Sequence, residues 1–390
     1  MKKEIIILGS TGSIGKQTLE IIKKDKKNFK IILLSTDKNI DLLLKQIKIF
    51  NVKNVVVSNK KKYEILKKKF KNVNILPDFK DIDKKIKSRA DYTISAISGL
   101  EGLNPTLKII KKTKRIAIAN KETIICGWEL IQKEIKKYRT EFIPVDSEHF
   151  SIWSVIKDYD RSDIEKIILT ASGGPFLDKK INNNIKIKDA INHPNWQMGK
   201  KISIDSATLM NKVFEIIEAK KIFDIEFNKF EILIHPKSYI HAIVKLKNGL
   251  IKIVAHDTNM QVPISNSIYM GSSNRKFIKT KKIDLKILNS LNLQKVNEKK
   301  FPVIKLLNKM SKKNNLFDTI LVSMNDELVN LFLKNKINFL DISSKICHLI
   351  NLPVFSKYKL QKPINLAQIE KLNEFVRLKT RALSVISQKK

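Results

Sequence analysis

Cysteine is nearly absent. Cys126 and Cys347 are the two in 390 residues, and neither belongs to a CxxC pair. They cannot build a disulfide framework, they argue against a structural zinc site, and they fit a reducing compartment. Long apolar runs are missing too: the longest are four to six residues, which excludes a transmembrane helix. No signal or transit segment is expected ahead of the first strand-like run, which follows Met1, Lys2 and Lys3. The expectation is therefore a cytoplasmic protein with no membrane partner. Aromatics are sparse at 7%, yet 43% of residues are hydrophobic, a globular rather than a disordered composition. The length leaves room for two or three domains with real cores.

Acid is scarce beside base. Lys and Arg number 76 against 38 Asp and Glu, a formal net charge of +38. Such a charge invites a nucleic-acid reading. Arginine, however, is also scarce: seven of the basic residues are Arg and 69 are Lys, spread along the whole chain in stretches such as Lys60–Lys62 and Lys67–Lys69. Surfaces that read bases or clamp phosphates favour the bidentate Arg fork. No specific nucleic-acid partner is expected. The positive field still favours the arrival of anionic substrates.

What is present begins with alternation. Residues 4–8, 30–35, 54–58, 91–95, 115–119 and 141–145 read as strands, and segments such as 40–50 and 104–112 as helices. Repeated β-α alternation implies a Rossmann-like parallel sheet over residues 1–150. Residues 151–275 read as a central α+β domain, with strands near 165–170, 230–234, 239–246 and 250–255 and helices near 150–157 and 205–220. Residues 276–300 are polar and read as a linker. From 301 to 390 the pattern is helical, over roughly 302–312, 318–334, 339–350 and 366–387, enough for a C-terminal bundle.

The segment EIIILGSTGSIGKQTLEII reads as strand, glycine turn and helix, with Gly9, Gly12 and Gly15 in GxxGxxG spacing. Glycine lets the backbone approach a pyrophosphate, and the following helix start offers free N–H groups. Thr11 and Ser13 add hydroxyls. At the end of the second strand, Lys38 and Asn39 suit a 2′-phosphate and hence NADPH, while Asp37 pulls the other way.

A second pattern is acidic. VDSEH sets Asp146 and Glu148 two apart, which in an extended chain puts both on one face. Glu215 lies in SATLMNKVFEIIEA, where a helix puts Asn211, Lys212 and Glu215 on one face. Three carboxylates without Cys suit Mg²⁺ or Mn²⁺ rather than zinc. Each piece alone is more often a solvated loop or helix face, and composition does not join them in space. Ser172, in the glycine turn TASGGPF, is an anion-site candidate; Ser206, in DSAT, reads as a helix start. Trp196, in HPNWQMG, is either a flap residue or a buried anchor. His235 and His241 read as structural.

GSTGSIG, ANKE (119–122), VDSEH, ASGGPF, HPNW..MG, KIS.DSAT..NK..E and IHP.S.IH occur in this order along the chain. Together they resemble the 1-deoxy-D-xylulose 5-phosphate reductoisomerase family. The resemblance implies a homodimer with an NADPH-binding domain, a catalytic domain and a helical domain. It implies rearrangement and reduction of 1-deoxy-D-xylulose 5-phosphate to 2-C-methyl-D-erythritol 4-phosphate. By matching positions, Asp146, Glu148 and Glu215 are the implied ligands of one Mn²⁺ or Mg²⁺ per subunit. Ser172, Ser206, Asn211 and Lys212 are the implied phosphate site, with Lys121, Ser147, Glu148 and His193 on the rest of the substrate and Trp196 on the flap. Lys121, Glu148 and His193 carry the implied catalytic roles. Thr11, Gly12, Ser13, Ile14, Asp37, Lys38, Asn39, Asn120, Glu122 and Gly199 are the implied NADPH contacts.

Departures from the family pattern are Asp37, Phe150, and Asn259 and Gln261 in AHDTNMQVPI; none removes an implied metal or phosphate residue. Two other readings stay open. A semialdehyde or homoserine dehydrogenase shares the Rossmann plan, but the former needs an activated Cys. A basic nucleic-acid-binding protein or scaffold predicts no metal-dependent turnover.

Overall fold

The computed structural model describes residues 2–70, 72–271, 278–311 and 313–386. The chain forms two compact units. Met1–Ile124, Glu129–Asp146 and Met260–Lys279 make the first; Ile125–Trp128, Ser147–Asn259 and Thr280–Lys390 make the second.

The first unit is built on β1 (Lys3–Leu8), β2 (Phe29–Thr36), β3 (Asn54–Val57), β4 (Asn74–Leu76), β5 (Tyr92–Ser95), β6 (Arg115–Ile118) and β7 (Glu141–Pro144). Their order is β4-β3-β2-β1-β5-β6-β7, and every neighbouring pair is parallel. β1 carries Ile5 through Leu8 with no exposed surface, as a strand covered on both faces requires. The strand order reverses between β1 and β5, the kind of switch point where α/β sheets bind nucleotides. The six strands expected from the sequence are all present. β4 is additional, because three residues are too few to show alternation.

The helix Gln261–Tyr269 also packs in the first unit, where Ile264, Ile268 and Tyr269 join the core around Phe29 and Ile21. Tyr269 donates to Asp25 Oδ2 at 2.7 Å, 244 positions earlier. The sequence reading ends this domain at residue 150. Nothing local marks the returning segment, since only burial against distant residues places it.

The second unit holds a mixed sheet of β8 (Ile164–Ala171), β9 (Phe230–Ile234), β10 (Ile240–Leu246), β11 (Ile251–Ala255) and β12 (Gln294–Lys295), in the order β11-β10-β8-β9-β12. β8 and β9 are parallel and the other pairs antiparallel. Ile152, Ile167, Leu169, Ile216, Phe223 and Val244 form its core with the helices Ser147–Ile156 and Met210–Phe223. The single helix expected over 205–220 is two, Lys200–Thr208 and Met210–Phe223, broken at Leu209. Leu209 is left-handed at φ 61° and almost fully buried. That backbone costs about 1–3 kcal/mol, offset by burial of its side chain.

Beyond Phe301, a 3-10 segment (Pro302–Lys309) leads into the helices Phe317–Leu333, Phe339–Leu349 and Leu366–Ile386. Fully buried Glu327 accepts from Arg381 Nε at 2.7 Å and Arg377 Nε at 3.3 Å. Of the expected linker 276–300, residues 276 and 277 lie outside the described residues; the rest includes the short helix Leu285–Asn289 and β12. Among the described residues no helix is long and apolar enough to cross a membrane.

Candidate active site

In the first unit, β1 runs into the glycine turn and the helix Ser13–Lys24. Gly9 is left-handed at φ 76°, and a Cβ there would lie 2.6 Å from the Ala96 carbonyl oxygen. A Cβ on Gly15 would overlap the Gly9 carbonyl. Glycine at positions 9 and 15 is thus a steric requirement of this turn. Gly12 precedes the helix, Ser13 and Ile14 open it, and the Gly12–Ser13 stretch is exposed to an arriving anion. Thr11 Oγ1 shares a 2.7 Å hydrogen bond with Thr36 Oγ1, tying the turn to the end of β2.

After β2, Asp37 accepts from Ser58 Oγ at 3.1 Å and faces Lys38 Nζ at 3.9 Å. Asn39 caps the helix Ile40–Phe50 through Leu42 N at 3.1 Å. Asn120 caps the helix Lys121–Tyr138 through Thr123 N at 3.2 Å, and its amide donates to the carbonyls of Ile97 and Gly99. That cap places Lys121 and Glu122 in the first turn, both buried. Lys121 Nζ sits 3.0 Å from Asp146 Oδ2.

In the second unit the carboxylates meet a lysine. Ser147 starts a helix immediately after Asp146, so the shared face expected of an extended VDSEH is not what brings Glu148 to the site; Glu148 stands in the first helical turn. Its Oε1 is 2.6 Å from Lys212 Nζ, and its Oε2 accepts from Ser147 Oγ. Lys212 also pairs with Glu215 Oε2, and Asn211 Nδ2 donates to Glu215 Oε1. The i,i+3 and i,i+4 spacings expected from the sequence therefore hold. All four oxygens of Glu148 and Glu215 face a donor. Lys212 is 5% exposed and Glu215 1%. Burial works against the Lys212 charge, but Glu148 and Glu215 outweigh it and hold its pKa above the ordinary range.

Ser172 Oγ is 2.9 Å from His193 Nε2 and accepts from Gly174 N at 3.0 Å. His193 Nδ1 accepts from the backbone N–H of Asn195 and of Trp196, at 3.1 and 3.0 Å. The ring is therefore neutral, with its hydrogen on Nε2, and burial lowers its pKa to about 4. Trp196 is half-buried, edge-on to His241 at 6.0 Å, and His241 stacks on His256 at 3.7 Å. Ser206 caps nothing: it lies in the seventh position of the helix that Gly199 caps. A Cβ on Gly174 would meet the Ser206 carbonyl oxygen at 2.9 Å, so this glycine lets the Ser172 turn close on Ser206.

Two groups carry more than sequence reasoning gave them. His149 Nε2 donates to the Glu215 carbonyl at 2.8 Å, and its Nδ1 lies 3.5 Å from buried Glu218 Oε2. Lys201 joins Asp205 at 3.1 Å to Asp326 at 2.9 Å, and Asn325 donates to Asp205 at 2.7 Å, fixing the helix that carries Ser206. Helical spacing from Glu215 to Glu218 was the one signal for the first; in the second, Lys201 and Asp205 are i,i+4, but the link from Asp205 to Asn325 spans 120 positions and no local spacing shows it. Of the departures, Phe150 lies against Trp153 at 5.8 Å and Gln261 donates to Glu20 at 2.8 Å. Burial pushes both Cys126 and Cys347 thiols up, so neither is an activated thiolate.

Known proteins match along the whole chain. The family model for 1-deoxy-D-xylulose 5-phosphate reductoisomerase matches residues 5–127, that for its C-terminal domain 142–223, and a DXP reductoisomerase C-terminal domain model 257–379. A 1-deoxy-D-xylulose 5-phosphate reductoisomerase of Pelagibacter ubique (strain HTCC1062) is 56% identical over 389 residues, covering 98% of this chain and 100% of the relative. The solved enzyme of that name from Zymomonas mobilis, in complex with NADPH, is 30% identical with a TM-score of 0.87, over 98% of this chain and 99% of that one. A DOX-P reductoisomerase solved with NADPH, fosmidomycin and magnesium is 31% identical with a TM-score of 0.90, over 100% and 99%. The chain belongs to the 1-deoxy-D-xylulose 5-phosphate reductoisomerase family.

Proposed function

We propose that the chain converts 1-deoxy-D-xylulose 5-phosphate to 2-C-methyl-D-erythritol 4-phosphate, with NADPH as reductant and one Mg²⁺ or Mn²⁺ per subunit. The observation that carries this reading is the buried Lys212 ammonium held between Glu148 and Glu215, a place built for positive charge in a chain of this family. The relatives' names, and the NADPH and magnesium in their solved structures, support it.

Asp146, Glu148 and Glu215 are assigned as metal ligands. The set fits a hard cation: the donors are carboxylate oxygens, and Lys212 already stands in for a cation between two of them. When bound, the ion supplies Lewis acidity to adjacent substrate oxygens, and NADPH supplies hydride. Lys121 holds positive charge for an oxygen that gains negative charge. Ser172, Ser206, Asn211 and Lys212 bind the phosphate, whose distance from the reacting carbons makes it a source of binding energy. Ser147 orients the sugar, and neutral His193 offers it a hydrogen-bonding edge rather than an acid. Trp196 covers the bound substrate and excludes water. Thr11, Gly12, Ser13, Ile14, Asp37, Lys38, Asn39, Asn120, Glu122 and Gly199 are assigned to NADPH, with Asp37 opposing a 2′-phosphate.

The active form is a homodimer. β11 is an edge strand whose Ile251 and Ile253 are 60 and 51% exposed, with Leu250 just before it at 54%, an apolar edge that a second copy covers. The free thiols Cys126 and Cys347 fit a cytoplasmic location. The test is NADPH oxidation, followed by absorbance, with 1-deoxy-D-xylulose 5-phosphate in the presence and absence of Mn²⁺. Metal-dependent turnover is expected; folded protein that leaves NADPH unoxidised with metal present contradicts the assignment.

A further inference from the structure

Each carboxylate assigned to the metal is held by a lysine: Asp146 by Lys121 at 3.0 Å within the first unit, Glu148 by Lys212 at 2.6 Å, and Glu215 by the same Lys212 within the second. Lys212 serves two carboxylates at once while almost wholly buried. We infer that Lys212 is a displaceable placeholder for the divalent cation. Metal binding at Glu148 and Glu215 expels its ammonium, and the expelled ammonium completes the phosphate subsite. This rests on the metal assignment proposed above.

The charges in the cluster favour the exchange. Lys212 Nζ is in contact with one oxygen of each carboxylate, and the other oxygens are taken by Ser147 and Asn211. A divalent ion bound by Glu148 and Glu215 comes close to the ammonium whichever of their oxygens it takes, and two cations so close repel strongly in a buried site. Without either cation, two buried carboxylates would face each other unscreened. The lysine therefore keeps the metal-free site folded.

Lys212 has a side chain that can turn away from both carboxylates. It stands in the first turns of the helix Met210–Phe223, just after the Leu209 break, on a flexible four-carbon stem. Gly174 lets the Ser172 turn pack on the Ser206 carbonyl, and Ser206 lies three residues before that break. The two segments that carry the serines assigned to the phosphate thus meet close in sequence to the helix start that carries the ammonium. Metal and phosphate then favour each other, and by linkage the favour is equal in both directions.

The test uses the full-length protein without substrate or NADPH, with Mn²⁺ binding read from its electron paramagnetic resonance. Lys212→Met is expected to bind Mn²⁺ more tightly than wild type, by roughly five- to a hundredfold. Inorganic phosphate is expected to tighten Mn²⁺ binding several-fold in wild type and to give no tightening in Lys212→Met. Phosphate complexes Mn²⁺ in solution and so weakens binding by default; tightening therefore reports the site. If Lys212→Met does not fold, Lys212→Gln carries the same expectations, and the wild-type phosphate effect needs no variant. Equal or weaker Mn²⁺ binding by the folded variant, or no tightening by phosphate in wild type, overturns the placeholder role alone. A wild-type chain that binds no Mn²⁺ overturns the metal assignment as well.

Discussion

Lys212 Nζ and Glu148 Oε1 stand 2.6 Å apart although 64 positions separate them in sequence. The helix Ser147–Ile156 brings the carboxylate and the helix Met210–Phe223 brings the ammonium. Glu215, on the second helix, also pairs with the lysine. A buried charge pair of this kind adds little net stability over an apolar one, and removing one partner leaves the other uncompensated. Its arrangement is better explained by what it does than by what it holds together.

Glu215→Gln keeps the shape and removes one charge. Metal-dependent turnover is expected to fall roughly a hundredfold or more, with Mn²⁺ binding weakened and NADPH binding retained. Steady-state rates at several Mn²⁺ concentrations, beside a nucleotide fluorescence titration, make the check. Unchanged turnover counts against a ligand role.

Gly15→Ala places a methyl group on the Gly9 carbonyl. Overpacking of this kind costs about 1–3 kcal/mol and here distorts the turn that carries Gly12 and Ser13. NADPH binding is expected to weaken at least about tenfold, while Mn²⁺ binding at Glu148 and Glu215 persists. A variant with ordinary NADPH affinity shows that the turn does not hold the cofactor.

His193 gives a pH dependence. Its folded pKa is lowered from 6.5 to about 4 by burial. Between those values the unfolded loop binds the proton and the folded loop does not, so acid favours opening. The stability held by His193 is complete above pH 6.5 and is lost as pH falls toward 4. The Trp196 fluorescence, taken as the difference from Trp196→Phe, is expected to shift across that window. A transition confined to alkaline pH contradicts the neutral ring.

Asp37 is exposed and carries a charge of the same sign as a 2′-phosphate. Asp37→Ser is expected to raise the ratio of kcat/KM for NADPH over NADH by roughly three- to tenfold at low salt, less at high salt. An unchanged ratio places the 2′-phosphate away from this loop.

Ile251→Lys with Ile253→Lys charges the exposed edge of β11. Light scattering is expected to show the monomer mass where wild type shows the dimer. A dimer that survives both changes puts its interface elsewhere.

The local parts of this account were legible in the residues. Glycine spacing gave the turn because its steric demand is local, and helical spacing put Asn211, Lys212 and Glu215 on one face. Other parts were not. The extended reading of VDSEH failed because Ser147 starts a helix at once, and DSAT misled because Gly199, not a polar residue, caps that helix. The Leu209 break has no sequence signal, since a buried leucine is not a left-handed residue by preference. The pairing of Lys212 with Glu148 and the return of Gln261–Tyr269 to the first unit depend on tertiary packing, which no window along the chain contains.

The central claim is that Glu148 and Glu215 grip a cation. Anomalous diffraction from crystals grown with Mn²⁺ measures it directly. A single Mn²⁺ peak per chain is expected at bonding distance from Glu148 and Glu215, with Lys212 Nζ withdrawn from both. Crystals of turnover-competent protein with Lys212 still clasped by both carboxylates and Mn²⁺ bound elsewhere would contradict it.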